Sequence, residues 1–571
     1  MTTSSTITAT FCATLVDEWI RLGLRHAVIA PGSRSTPMAL ALSARDELDL
    51  HIFHDERSAS FAALGIGIES GLPAILLCTS GTAAVQFHAA AVEAHHAEVP
   101  MLLCTADRPP ELHGVGAPQT IDQHALFGVA SRKFIDAGIA DSEQASSWRS
   151  LARDCLESAC GVSPGPVHLN LPFREPLVGE IGDLPPAHDN RPLIRAVPPS
   201  PLAIDVDLIA DIMQGKRGVL VAGAGCEASR GVLELARKLG WPVLADPRSG
   251  CRVVETSSSV VIAAADAILR SEEFARSHRP QVIVRIGEPP VSKVVNLWLG
   301  VSGAEYIVIS TTPRQIDPDR IVTRHLMGSI AQWCSALVVR LDQSPIQSPD
   351  QMEWLESWQR AESVAQQSIS ETLEHETNIS EPAVARTLNK HIPDGSRLIV
   401  SSSMPVRDFE WFAEPRDDLK VYANRGASGI DGVVSTALGV ALASQKPTYL
   451  LIGDIAMLHD SNGLIGLSSR NADLRIFCVD NRGGGIFSFL PQASMLSTDR
   501  FEKLFGTPHE SNIELIAQAH GVAHQSVVSV KELVAQIGAV GSRLVYIATN
   551  RIENVAVHER LNAAVGRAIT K

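Results

Sequence analysis

Asp454 closes the apolar run 448–453, and Asn481 closes a second run, 475–480, just ahead of Gly483, Gly484 and Gly485. Two strand ends would thus set a carboxylate, an amide oxygen and an exposed backbone carbonyl beside one glycine turn. A hard divalent cation takes near-octahedral oxygen ligands, usually from one or two protein groups, and completes its shell with phosphate oxygens. This donor set suits a magnesium ion that carries a diphosphate. Asp and Asn are also ordinary turn residues at strand ends, so the pair alone leaves both readings open.

Glu56 follows the apolar run 50–53 and would open a helix. A buried carboxyl there can share a proton with a ring nitrogen of a bound cofactor, because desolvation raises its pKa. A glutamate in a first helical turn is equally what the helix dipole favours. Ser80 and Gly81 lie in a strand-to-helix turn, 79–83, whose small residues admit a ligand to the backbone, and 424–432 is a second glycine-rich turn. Ile486 and Phe487, just after the glycines, read either as core residues or as a wedge under a bent cofactor.

With 571 residues the chain should hold about three domains, at roughly 100–200 residues each. Its 45% hydrophobic and 20% charged content describes a globular enzyme with large cores. A formal charge of −14 opposes binding to nucleic acid or an anionic membrane, so an anionic substrate needs a local cluster of Arg and Lys. Nine cysteines without a C-x-x-C pair suit reduced cytosolic thiols and offer no zinc site. The N-terminus lacks a basic leader, and no apolar run approaches the ~18 residues of a membrane span. These features predict a cytoplasmic protein without membrane insertion.

Short apolar runs alternate with helix-length amphipathic segments, the pattern of parallel sheets covered by helices. Strands are predicted at 26–30, 50–53, 74–78, 101–105 and 167–171, with a helix at 83–96 among the connections. Proline-rich stretches at 184–192 and 197–201 read as a linker. A second block has strands at 219–222, 243–245, 282–286 and 306–309. Polar, helix-prone sequence at 343–378 leads to a third, with strands at 397–401, 420–423, 448–452, 475–480 and 544–548. The fold class is α/β with three doubly wound, mainly parallel-sheet domains, at 1–183, 195–345 and 360–571, and the first and third blocks compare as duplicated halves. The central block carries Gly223, Gly225 and Ala228 in a G-x-G-x-x-A turn with Asp246 beyond it, a formal dinucleotide fingerprint that makes a nicotinamide or flavin enzyme the rival class.

The runs 30–37, 54–59, 105–112, 424–432 and 483–488, joined to the Asp454 and Asn481 pattern, resemble the 2-succinyl-5-enolpyruvyl-6-hydroxy-3-cyclohexene-1-carboxylate synthases, thiamin-diphosphate enzymes of menaquinone biosynthesis. The likeness spans nearly the whole chain and is weakest in the central block. It implies thiamin diphosphate with Mg2+, Mn2+ being an alternative ion, and a Rossmann-like middle domain. By the resemblance, Asp454 and Asn481 ligate the metal through side chains and Gly483 through its carbonyl. Ser80, Gly81, Ser403, Gly453, Gly484, Ile486 and Phe487 line the cofactor, and Glu56 activates its pyrimidine.

The implied substrates are 2-oxoglutarate, which is decarboxylated, and isochorismate, which accepts the succinyl carbanion equivalent. Both are dicarboxylates, and the planar forks of Arg34, Arg108, Arg407 and Arg425, with Lys293, are the implied cations. Ser33, Gln119 and Ser403 are the neutral partners. In the superfamily the first and third blocks meet across subunits, so a homodimer or homotetramer is implied. The sequence departs from the family pattern at Asp480, Pro118 and Val294. Another thiamin-diphosphate-dependent 2-oxo acid decarboxylase or carboligase is the alternative, and the arginine-bearing motifs argue against a small neutral acceptor.

Overall fold

Val-, Ile- and Leu-rich runs become strands here because helices cover both faces of each sheet, which removes the need for polar alternation. The structure is a computed structural model describing residues 3–187, 193, 196–254, 259–342 and 349–570. The predicted linker segment 188–192 and the predicted domain bounds at 1, 195, 345 and 571 lie outside those residues. Three six-stranded sheets are present, and all their pairings are parallel.

The first sheet holds β1 (His26–Ile29), β2 (Asp49–Ile52), β3 (Ile75–Cys78), β4 (Met101–Asp107), β5 (Lys133–Asp136) and β6 (Pro166–Pro172), in the order β2-β1-β3-β4-β6-β5. The second holds β7 (Gly218–Ala222), β8 (Val243–Ala245), β9 (Val261–Ile262), β10 (Val282–Ile286), β11 (Glu305–Ser310) and β12 (Arg324–Met327), in the order β12-β11-β10-β7-β8-β9. The third holds β13 (Arg397–Val400), β14 (Lys420–Tyr422), β15 (Thr448–Gly453), β16 (Leu474–Asp480), β17 (Ala523–Val527) and β18 (Arg543–Ala548). Its order, β14-β13-β15-β16-β18-β17, repeats that of the first sheet.

The strands β5, β9, β12 and β17 are absent from the sequence expectation, and each is a sheet edge. β5, β12 and β17 carry exposed residues that break up the continuous apolar run, and β9 is only two residues long. The helix expected at 83–96 is two helices, Thr82–Val85 and His88–Ala97, parted at Gln86 and Phe87. A single helix, Pro349–Glu374, runs through position 360, where the third domain was expected to open. Its Trp358, Ala365 and Ile369 pack with Val557, Leu561 and Val565 of the last helix, Arg551–Ile569.

The first and third domains share one apolar core. Helix Glu56–Ser70 lies against helix Val433–Ser444, and Ala62, Leu64 and Ile66 join Val434, Ala437 and Leu438 there. Glycines permit the close approach: a Cβ on Gly65 would stand 2.1 Å from the Thr436 carbonyl, and one on Gly439 would stand 2.0 Å from the Ala62 carbonyl. This contact fixes where Glu56, in the first turn, sits relative to the third sheet.

Candidate active site

The chain leaves β13 to form β14 on one side and then crosses to β15 on the other, so β13 and β15 part at their carboxyl ends. Such switch points are where open α/β sheets bind ligands. A cavity of about 460 Å³ opens there, lined by Ser403, Arg407, Arg425, Gly453, Asp454, Asn481, Gly483, Gly484, Ile486 and Phe487. Ten residues singled out from sequence thus converge on one space.

Parallel pairing of β15 with β16 matches Gly453 to Val479, which brings Asp454 beside Asp480 and Asn481. Asp454 is 2% exposed; its Oδ1 accepts the Ile455 N–H at 2.8 Å, and its Oδ2 accepts the Gly483 N–H at 2.7 Å. Burial, and then the neighbouring Asp480 carboxylate, push its pKa up to about 6. His509 Nε2 lies 3.1 Å from Asp454 Oδ2 and 3.8 Å from Asp480 Oδ1. Asp480 itself accepts the Arg482 N–H at 2.8 Å and the Tyr546 hydroxyl at 2.9 Å. Asn481 donates Nδ2 to Glu381 Oε1 at 2.8 Å, while its Oδ1 is buried with no hydrogen-bond partner among the described residues.

Two crowded buried carboxylates and an orphaned amide oxygen are what a cation site presents before its ion arrives. Asp454 and Asn481 therefore fit a divalent metal, while Gly483 meets Asp454 through its N–H and its carbonyl accepts the Gly485 N–H at 2.9 Å.

The cavity also holds two cations. Ser403, which caps helix Met404–Phe412, sits at φ +73°, a conformation that costs a non-glycine residue strain and that concentrates at functional sites. Its carbonyl accepts from Arg407, and Arg425 donates to Ser402 Oγ at 3.5 Å. Burial lowers the pKa of both guanidiniums, and Arg248 and Arg407 crowd Arg425 further. Neither meets a carboxylate within ion-pair distance among the described residues, which leaves both forks available to an anionic ligand.

The first-domain candidates form a second group at the ends of β1, β3 and β4. Arg34, 8% exposed, donates to the Phe173 carbonyl at 3.0 Å and pairs with Glu175 at 3.2 Å. Arg108 donates to Ser80 Oγ, and Ser80 and Gln119 exchange two further bonds, Ser80 Oγ to the Gln119 carbonyl at 3.1 Å and Gln119 Nε2 to the Ser80 carbonyl at 3.0 Å. Gly81, at φ +84°, donates its N–H to Gln123 Oε1 at 2.9 Å. Ser33 is exposed.

Glu56 is half-buried, and its helix start is bolted to the third domain of the same chain. Arg57 donates to the His459 carbonyl at 2.7 Å, and Asn462 donates to the Asp55 carboxylate at 2.7 Å. Neither Glu56 nor any of the first-domain cluster lines the 460 Å³ cavity. Lys293 is exposed at the start of helix Lys293–Gly300 and lines that cavity no more than they do.

Four contributors escape a reading of the sequence: Glu381 on Asn481, His509 on Asp454, Gln123 behind Gly81, and Glu93, which grips the loop after Arg425. Glu381 reads locally as an acid in the first turn of a Ser380-capped helix, and nothing near it in sequence announces Asn481.

The central turn faces a cavity of about 270 Å³ lined by Ala224, Gly225, Arg248 and Arg285, but its other fingerprint positions are engaged within the protein. A Cβ on Gly223 would fall 1.7 Å from the Glu288 carbonyl, so the glycine serves packing between two loops. Asp246, the expected ribose acceptor, is buried and ion-paired with Arg248 at 3.0 Å.

Three family profiles match: "Thiamine pyrophosphate enzyme, N-terminal TPP binding domain" at residues 10–126, "Middle domain of thiamine pyrophosphate" at 187–400, and "Thiamine pyrophosphate enzyme, C-terminal TPP binding domain" at 399–547. Among curated proteins, the 2-succinyl-5-enolpyruvyl-6-hydroxy-3-cyclohexene-1-carboxylate synthase of Chloroflexus aurantiacus is 40% identical over 96% of this chain and 95% of its own length. The like-named proteins of Thermobifida fusca and Listeria innocua are 39% and 36% identical, over 97% and 100% of this chain and 98% and 99% of theirs.

Proposed function

Since the chain belongs to the 2-succinyl-5-enolpyruvyl-6-hydroxy-3-cyclohexene-1-carboxylate synthase family of thiamin-diphosphate enzymes, we propose that it decarboxylates 2-oxoglutarate and adds the remaining four-carbon unit to isochorismate, releasing carbon dioxide. The observation that carries this reading is the single cavity in which Asp454, the free Asn481 Oδ1 and the unpaired Arg407 and Arg425 converge. Metal-diphosphate ligands and carboxylate forks together are what a thiamin enzyme acting on dicarboxylates needs.

Asp454, Asn481 and the Gly483 carbonyl would hold Mg2+, or Mn2+, and through it the cofactor's diphosphate. Bound there, thiamin diphosphate supplies an electron sink for the carboxylate that leaves as carbon dioxide. The chain's own residues do the rest. Arg407 and Arg425 neutralise and orient substrate carboxylates inside a space whose apolar Ile486 and Phe487 limit water. Glu56 would meet the cofactor's aminopyrimidine ring nitrogen, and Arg34, Arg108, Ser33 and Gln119 would form the first-domain wall that meets the acceptor. A role for Lys293 is supported by its neighbour Ser292, which donates a backbone N–H to Glu410, on the helix that carries Arg407, at 3.0 Å.

The split between Glu56 and the third-domain cavity supports an assembly of at least two copies, each giving the first-domain face to the other's metal site. The nine cysteines are buried and none forms a disulfide, which suits a reducing compartment and supports a cytoplasmic location, and no helix among the described residues is long and apolar enough to cross a membrane.

The test is incubation with Mg2+, thiamin diphosphate, 2-oxoglutarate and isochorismate, followed by mass identification of the adduct and measurement of carbon dioxide. Carbon dioxide without adduct would favour a different acceptor. No carbon dioxide would overturn the proposal.

A further inference from the structure

Building on the metal site proposed above, we infer that Glu381 is a positioning residue: it fixes the Asn481 amide so that Oδ1, not Nδ2, faces the divalent cation. The two ends of an asparagine amide have nearly the same size and shape, so packing alone does not choose which one faces a ligand. Only hydrogen bonding does.

Glu381 is 5% exposed, lines the same cavity, and places Oε1 2.8 Å from Asn481 Nδ2. An ionised carboxylate accepts and does not donate, so in that form it draws the NH2 end toward it. The oxygen is thereby turned away, and it is the atom left buried and unpartnered. Thr549 Oγ1 donates to the same Oε1 at 3.3 Å and steadies the carboxylate, and Ser380 and Pro382 fix the helix start that carries it.

The two side-chain ligands are secured differently. Asp454 is oriented by the backbone N–H groups of Ile455 and Gly483, with His509 beside them, so no single side chain decides its position. Among the described residues the Asn481 side chain has one hydrogen-bond partner, and that partner is Glu381. Outer-sphere partners of this kind raise metal affinity by holding a ligand atom where the ion needs it.

Mn2+ titrations followed by electron paramagnetic resonance, with thiamin diphosphate present, test the inference apart from turnover. Glu381→Met keeps the volume and removes the acceptor, and it should raise the Mn2+ dissociation constant roughly 10–100-fold. Asn481→Asp offers an oxygen at either end and should restore near-wild-type Mn2+ binding to the Glu381→Met variant. Equal binding by wild type and the Met variant overturns the inference while leaving the metal site intact. A Met variant that Asn481→Asp does not rescue also overturns it, and should the Met variant not fold, Glu381→Ala takes its place with the same expected and overturning results. Failure of the wild type itself to bind Mn2+ would instead remove the metal site proposed in the preceding section.

Discussion

Glu93, in the first domain, accepts the backbone N–H of Gly426, in the third, at 2.7 Å. Its second oxygen accepts the Ala427 N–H, also at 2.7 Å, so one buried carboxylate pins the loop immediately after Arg425. Burial pushes the Glu93 pKa up, and the amide donors pull it back down. The loop needs such a clamp because Ser428 sits at φ +64°.

Glu93→Gln sets an NH2 group against a backbone N–H. The variant should lose about 1–3 kcal/mol of stability and show raised Michaelis constants for the dicarboxylates, with thiamin diphosphate affinity little changed. Arg425→Ala should reproduce the kinetic effect without the drop in melting temperature. Steady-state kinetics, calorimetry of cofactor binding and thermal melts separate the two. Unaltered Michaelis constants in both variants would remove Arg425 from substrate binding.

Gly439→Ala pushes a methyl group into the Ala62 carbonyl, where the two long helices joining the first and third domains touch. Backbone on both sides leaves nothing flexible to yield, so overpacking should cost about 3 kcal/mol. Denaturant unfolding checks it, and a loss below about 0.5 kcal/mol, the range of an ordinary surface change, would contradict the packing.

Glu410 is buried, with Oε1 on the Ser292 N–H and Oε2 without a hydrogen-bond partner among the described residues. Burial, reinforced by Asp246 and Asp266, pushes its pKa from 4.5 up to about 8, against the opposing pull of Ser292 and Arg252. Between those values the folded protein keeps a proton that the unfolded chain releases. The contribution of this group to stability is therefore full below about pH 4.5 and lost as pH rises through about 8. Melting temperatures from pH 6 to 9 should fall more steeply for wild type than for Glu410→Gln, and parallel slopes would exclude the assignment.

A site shared between copies predicts complementation. Glu56→Gln and Asp454→Ala homo-oligomers should each be nearly inactive, because one lacks the proton-holding carboxyl and the other a metal ligand. After unfolding, mixing and refolding, random pairing into two-fold dimers restores one intact site per heterodimer, roughly a quarter of all sites. Activity that stays at the level of the parents would place both half-sites of one active centre in a single chain.

The three-domain α/β plan and the third-domain half of the site were legible in the sequence because their signals are local. A buried parallel strand is a short apolar run, and the residue that closes it is delivered to the sheet's carboxyl edge, so Asp454 and Asn481 announce themselves. The edge strands β5, β12 and β17, exposed along part of their length, and the two-residue β9 carry no such run and emerged only from pairing. Tertiary structure alone decided which groups steady the functional ones. Glu381 reaches Asn481 across 100 positions, His509 reaches Asp454 across 55, and Glu93 reaches Gly426 across 333. A hydrogen bond depends on a few tenths of an ångström between atoms, and sequence spacing carries no such information once the chain has turned back on itself.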